Sequence, residues 1–357
     1  MTPPVHARAA YQEVGRYVVD QSPVAVDLRD NTNLWGVPPA AARAIAGAAA
    51  AVCRYPRIYA AELKESLAAY VGVTADMIVT GCGSDDVLDA ALRAIADPGE
   101  RMAHLDPTFP TALTFARMNG LVPVGVALTA DWDADVDALL ATGARVIYLC
   151  SPNNPTGTIV ARESLEHIVE RAPGIVIVDE AYAEYAKTSV IDLARSSGRL
   201  LVLRTMSKAF GLAGLRVGYA VGAPTLISEV EKSRGPYKVS VVAERTAVVA
   251  LSTDVAWVRA RVTEAIANRR LLATRLATLG LPTLPSAANF LFASTPRATR
   301  IERSLWECGV GVRLYTGLRG IGDAIRMTVG PWALMAALIQ ALEQVTEHSR
   351  TQVGGAT

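Results

Sequence analysis

Residues 200–222 read LLVLRTMSKAFGLAGLRVGYAVG, and this stretch decides the fold. An apolar run breaks at Arg204-Thr205-Met206-Ser207-Lys208, a glycine-rich segment follows, and a second apolar run starts after Arg216. One lysine and one arginine thus stand eight residues apart in a small-residue loop between two core segments. A solvated surface site is the usual fate of a lysine, and it fits poorly between two fully apolar strands.

The same alternation extends in both directions. Short apolar runs occur at 77–80, 101–105, 121–126, 145–150, 174–179, 199–204 and 216–221, with helical patterns at 85–96, 109–118 and 161–171. A further helix over 62–70 places Leu63, Leu67 and Tyr70 on one face before Gly72. Short apolar strands separated by helices predict an α/β domain whose mostly parallel seven-stranded sheet lies between helices. Residues 36–245 are assigned to it. Beyond them come a long helix over 253–279, strand NFLFAS, a helix over 299–308, strands GVRLY and AIRMTVG, and a helix from 331. These, with residues 1–35, predict a smaller α+β domain made of 1–35 and 246–357.

The totals agree with a globular enzyme or binding protein. Hydrophobic residues make up 51% of 357 and charged residues 19%, which suits two packed cores and excludes a disordered chain. Lys+Arg at 35 against Asp+Glu at 34 gives no sign of attraction to nucleic acid or an anionic membrane. Cys53, Cys82, Cys150 and Cys308 form no CxxC pair, and the four histidines are scattered, so neither a disulfide framework nor a metal site is expected. The start MTPPVHARAAYQEV lacks a basic-then-apolar signal pattern, and cytoplasm is the expected compartment.

In an open parallel sheet, ligands bind at the carboxyl ends of the strands, so polar residues concentrated there are the ones to weigh. TGCGSDDVLDA at 80–90 runs from a strand into a helix start, and its free N–H groups suit either an anion or a plain N-cap by Ser84. CSPNNPTGTI at 150–159 is a rigid turn with two adjacent asparagines. In IVIVDEAYAEY at 175–185, four apolar residues lead into Asp179 and Glu180, where a desolvated carboxylate needs a cation or several donors. The fourth end is the opening stretch. A desolvated Lys208 there has a lowered pKa and becomes a nucleophilic amine, while Thr205, Ser207 and Arg216 suit a phosphate. An amine nucleophile, a buried carboxylate and a phosphate site together are what pyridoxal 5′-phosphate requires. Neither GxGxxG nor GxxxxGK[ST] follows a strand, which argues against a nicotinamide or ATP site.

SPNNPTG, VDEAYAEY and TMSKAFGLAGLRVGYA resemble the class I/II aminotransferases of pyridoxal-phosphate fold type I, closest to the histidinol-phosphate aminotransferases. RYP at 54–56, GCGSDD, DPTFP at 106–110, SAANFLF at 286–292, VRLY at 312–315 and IRMTVG at 325–330 carry the resemblance along nearly the whole chain. It implies that Lys208 bonds the cofactor's aldehyde carbon and then shuttles a proton, and that Asp179 pairs with the ring nitrogen. Asn154 and Tyr182 would bind the ring's 3-oxygen, and Phe109 would stack on the ring. Gly83, Ser84, Asp85, Thr205, Ser207 and Arg216 would hold the phosphate. Tyr55 would cross to the phosphate of a neighbouring subunit, implying a homodimer with shared sites. Tyr17, Asn33, Asn154, Arg313 and Arg326 would meet the substrate.

The family often carries NENP near the N-terminus. Here 30–36 reads DNTNLWG, with Thr32 for the acid, Leu34 for the proline, and Trp35 as a candidate wall of an aromatic pocket. The reaction implied first is L-histidinol phosphate plus 2-oxoglutarate to imidazole acetol phosphate plus L-glutamate. The alternatives are an aromatic or broad-range amino-acid aminotransferase and a decarboxylase of a phosphorylated amino acid.

Overall fold

A computed structural model describes residues 8–12, 14–16 and 18–354, with side chains described as far as 344. The strands are β1 (Val26–Asp27), β2 (Ile78–Cys82), β3 (Arg101–Asp106), β4 (Val122–Ala127), β5 (Val146–Cys150), β6 (Ile175–Asp179), β7 (Leu200–Thr205), β8 (Val217–Gly222), β9 (Phe290–Ser294), β10 (Val310–Gly311), β11 (Arg313–Leu318) and β12 (Gly322–Thr328). Seven of them form one sheet in the order β2-β8-β7-β6-β5-β3-β4. All neighbours are parallel except β8, which runs against both β2 and β7.

The sheet's central strands are apolar on both faces because both faces are covered. Along β6 and β7, Val176, Val178, Leu200 and Val202 enter one core, while Ile177, Leu201 and Leu203 enter the other. The second core also takes Val87, Leu88, Ala91 and Leu92 of helix Ser84–Ile95, whose apolar residues recur at helical spacing. A third core gathers on the antiparallel sheet β11-β12-β9, where Ile325 and Met327 pack with Leu291, Ala293, Leu305 and Leu338. The N-terminal segment joins this side, since β1 pairs in parallel with β10. Helix Val255–Thr278 connects the cores: Val258, Val262 and Ala265 belong to the first, Leu272 and Leu276 to the third.

Candidate active site

A cavity of about 370 Å³ opens at the carboxyl ends of β2, β5, β6 and β7, roofed by β11 and β12. Twelve of the residues singled out in the sequence line it, contributed by every strand end named above.

Its anion-binding end is built by close backbone approach. β2 stops at Cys82, Gly83 turns the chain at φ +85°, and a helix begins at Ser84. A Cβ on Gly83 would lie 2.4 Å from Arg216 Nη2, and a Cβ on Gly218 of β8 would lie 2.0 Å from the Ser84 nitrogen. Only glycine permits either approach. The first N–H groups of a helix have no partner within it, so Ser84 and Asp85 present donors to the cavity. Arg216, itself in the left-handed region at φ +53°, reaches Asp85 Oδ2 at 3.3 Å and Ser207 Oγ at 3.5 Å. The Ser207 N–H donates to Thr205 Oγ1 at 3.1 Å. Burial raises the Asp85 pKa, while the Arg216 charge pulls it down. Asp86 faces away, accepting from the Cys82 N–H and pairing with Lys238.

The two adjacent acids at the end of β6 separate cleanly, because successive residues of an extended chain point to opposite faces. Asp179 lines the cavity and is 5% exposed. Its Oδ2 accepts from the Tyr148 hydroxyl at 2.8 Å and its Oδ1 from the Ala181 N–H at 3.1 Å. Burial pushes its pKa up to about 6 against these two donors. Glu180 turns instead to Arg204 Nε at 2.8 Å, the Ser189 hydroxyl and the Val190 N–H. Arg204 also pairs with Glu184 at 3.0 Å, so one buried guanidinium serves two carboxylates.

Lys208 follows β7, and its Nζ donates to the Asp30 carbonyl at 3.0 Å. Desolvation, helped by the Arg326 charge, lowers its pKa to about 8. The loop is held by Asn33 Nδ2, which donates to the Ala209 carbonyl, and by close approach of Gly211 to the Gly36 carbonyl. Tyr182 accepts a hydrogen bond from Asn31 Nδ2 at 3.0 Å, and burial raises its pKa.

At the roof, Arg313 of β11 and Arg326 of β12 stand directly opposite in the antiparallel register. Arg326 is 5% exposed and among the described residues meets only neutral acceptors: Asn154 Oδ1 at 2.6 Å, the Tyr315 hydroxyl at 2.9 Å and the Arg29 carbonyl at 2.6 Å. Its Nε has no hydrogen-bond partner, and among the described residues it makes no salt bridge. Arg313 pairs with the Asp30 carboxylate.

The cavity therefore brings together Ser84, Asp85, Phe109, Asn154, Asp179, Tyr182, Thr205, Ser207, Lys208, Arg216, Arg313 and Arg326, with Gly83 abutting it. Asn33 is not among the lining residues; its amide is engaged by the Lys208 loop, and Asn31 takes the cavity face. Trp35 packs against the first core rather than the cavity wall. Tyr55 is 82% exposed on another surface, stacked on Tyr237 with ring centroids 5.0 Å apart. Tyr17 lies outside the described residues. Of the adjacent asparagines, Asn153 builds the turn through Thr108, Pro107 and Thr156, leaving Asn154 for the cavity.

The sequence reading did not single out Asp30, Asn31, Tyr148 or Tyr315. Tyr315 carried a signal, since it stands two residues from Arg313 on one strand and shares its face. Tyr148 carried none, because it lies in the apolar run RVIYLC and reads as core.

The sequence profile of the family "Aminotransferase class I and II" matches residues 24–342. The chain belongs to that family. Enzymes of the family work with pyridoxal 5′-phosphate, and the residues on the cavity wall fit that group: a glycine cradle under Arg216, a buried carboxylate at the opposite end, and a desolvated amine between them. The chain is 39% identical over 337 residues to the histidinol-phosphate aminotransferase of Roseiflexus castenholzii, covering 90% of this chain and 89% of that protein. It is 34% identical over 339 residues to the aromatic amino acid aminotransferase of Rhodococcus jostii, covering 92% of each. The crystal structure of histidinol-phosphate aminotransferase from Sinorhizobium meliloti in complex with pyridoxal-5′-phosphate superposes with a TM-score of 0.89 at 25% identity, over 97% of this chain and 99% of that one. The aminotransferase assignment fixes the fold as type I, in agreement with its sheet order and its two flanking cores.

Proposed function

We propose that this aminotransferase transfers the amino group of L-histidinol phosphate to 2-oxoglutarate. The observation that carries the reading is Arg326: a buried guanidinium on the cavity wall, facing no carboxylate among the described residues, asks for an anion from the substrate. Arg313 lies beside it as a second cation for a phosphate. The relatives named histidinol-phosphate aminotransferase, at 39% identity and below, support the same donor.

The cofactor, when bound, supplies the aldehyde that carries the amino group and the ring that accepts the electrons released at the donor carbon. Arg216, Thr205, Ser207 and the N–H groups of Ser84 and Asp85 hold its phosphate by charge and direct hydrogen bonds. Asp179, as a carboxylate, would hold the proton on the ring nitrogen. Tyr182 and Asn154 hold the ring oxygen, and Phe109 covers one face. Lys208 provides the bonding amine. Lys208, with its amine free, would be the group that moves the proton of the donor's nitrogen-bearing carbon. Arg326 and Arg313 would hold the donor's anionic groups and so orient it toward Lys208.

We further propose a homodimer in the cytoplasm in which Tyr55 reaches the neighbouring subunit's cofactor phosphate. Its exposure beside Tyr237 supports this. Residues 36–245 are proposed as the large domain, and 1–35 with 246–357 as the small one.

A second reading, an aromatic or broad-range aminotransferase, is favoured by one observation: only one of the two roof arginines faces no carboxylate, enough for a single substrate carboxylate. A single-turnover half-reaction decides. Cofactor-loaded protein receives L-histidinol phosphate, L-phenylalanine or L-threonine phosphate separately, and the cofactor's visible absorbance is followed. Fast bleaching by histidinol phosphate alone supports the first reading; preference for phenylalanine replaces it with the second.

A further inference from the structure

The roof of the cavity poses an electrostatic problem. Arg313 and Arg326 are paired residues of an antiparallel ladder, so their side chains share a face. Like charges placed directly opposite are destabilising. Arg326 is accommodated by the Phe290 and Tyr315 rings, at 5.3 and 5.8 Å, and by neutral acceptors. Arg313 is accommodated differently, by the carboxylate of Asp30. Asp30 also lends its main-chain carbonyl to Lys208. Its side chain is 55% exposed at the cavity wall, against 22% for Arg313.

An anion that seeks Arg313 therefore meets a cation that is already neutralised, with a carboxylate adjoining it. We propose that Asp30 is a specificity-determining residue that competes, through its carboxylate, with any substrate anion at Arg313. Arg326 takes the first anionic group of a substrate without competition. A second anionic charge, whether on a phosphate or on the far carboxylate of a dicarboxylic oxo acid, binds only by displacing Asp30. The inference rests on the reading above in one respect, that Arg313 meets substrate anions.

Asp30→Asn tests it. The substitution keeps the size of the side chain and the backbone carbonyl that holds Lys208, and it removes the competing charge. Glutarate, a dicarboxylate whose first carboxylate takes Arg326 and whose second meets Arg313, is titrated calorimetrically into cofactor-loaded wild type, Asp30→Asn, and the double variant Asp30→Asn/Arg313→Gln. An unchanged visible band of the bound cofactor confirms that each variant keeps its site. Release of a partly exposed ion pair predicts that Asp30→Asn binds glutarate about fivefold more tightly than wild type. The double variant should lose that gain. Equal or weaker binding by Asp30→Asn overturns the proposal, as does a gain that persists without Arg313. No amino donor enters this measurement, so failure of the histidinol-phosphate reading and failure of the Asp30 proposal are seen separately.

Discussion

Tyr148 and Asp179 sit on neighbouring parallel strands, and the tyrosine hydroxyl donates to the carboxylate at 2.8 Å with both groups buried. A hydrogen bond to the charged form favours ionisation. Tyr148→Phe should thus raise the Asp179 pKa further above about 6. In cofactor-free protein the pH range over which Asp179 loses its proton would move up by about one unit. An infrared titration of the carboxyl band checks this; an unmoved midpoint would assign Tyr148 a packing role only.

The same carboxylate carries a stability cost. The Asp179 pKa is about 6 when folded, above its unfolded value, so the folded state binds the extra proton. Stability is full at low pH and falls as pH rises from about 4 to 6, by about 3 kcal/mol. Cofactor-free Asp179→Asn should then outlast the cofactor-free wild type by about 1–3 kcal/mol at pH 8, while being inactive. Denaturant melts at pH 4 and pH 8 would show the difference appearing only at the higher pH.

Lys208 has a pKa lowered to about 8, with desolvation as the leading cause and Arg326 next. Only the neutral amine attacks an aldehyde, so the rate at which cofactor-free protein captures pyridoxal phosphate should rise with pH and level off above about 8. Arg326→Gln removes one depressing charge and should shift that rise to higher pH. Stopped-flow absorbance would record both. Lys208→Ala should lower turnover by about 10²–10⁴-fold.

Arg204 is the buried counter-charge of Glu180 and Glu184, at 2.8 and 3.0 Å. Arg204→Met strands two buried carboxylates and should cost about 3–5 kcal/mol. Its signature is a fallen melting temperature with the kcat of the surviving fraction nearly unchanged.

Gly218→Ala places a methyl group on the Ser84 nitrogen. The phosphate cradle must open, and the cofactor dissociation constant should rise at least tenfold, with about 1–3 kcal/mol lost in stability. Equilibrium dialysis of the cofactor reads the first effect and thermal melting the second.

These residues also mark how far the sequence was legible. The seven strands were readable because each is a short, mostly apolar run, and Asp179, Lys208 and Arg216 because each stands at or just beyond the edge of such a run. Asp179 and Glu180 were indistinguishable there, since which faces the cavity depends on the register of β6, and Arg204, which settles the matter, reads as the last residue of a strand. Asn33 and Asn31 were confused for a similar reason. Asn31 adopts φ +54°, a turn that carries its amide toward Tyr182, and no periodicity announces that. Tyr148 lay hidden in an apolar run because a phenol can fill a core and still direct its hydroxyl into the site.

Three consecutive residues tether three different working groups: the Arg29 carbonyl holds Arg326, the Asp30 carbonyl holds Lys208, and the Asn31 amide holds Tyr182. Two of those tethers are peptide oxygens, which every amino acid possesses. The side chain at 30 is thereby released to mutate without slackening the amine, whereas inserting or deleting a single residue would dislodge all three at once. The segment is built to let substrate preference drift by substitution while its length stays fixed.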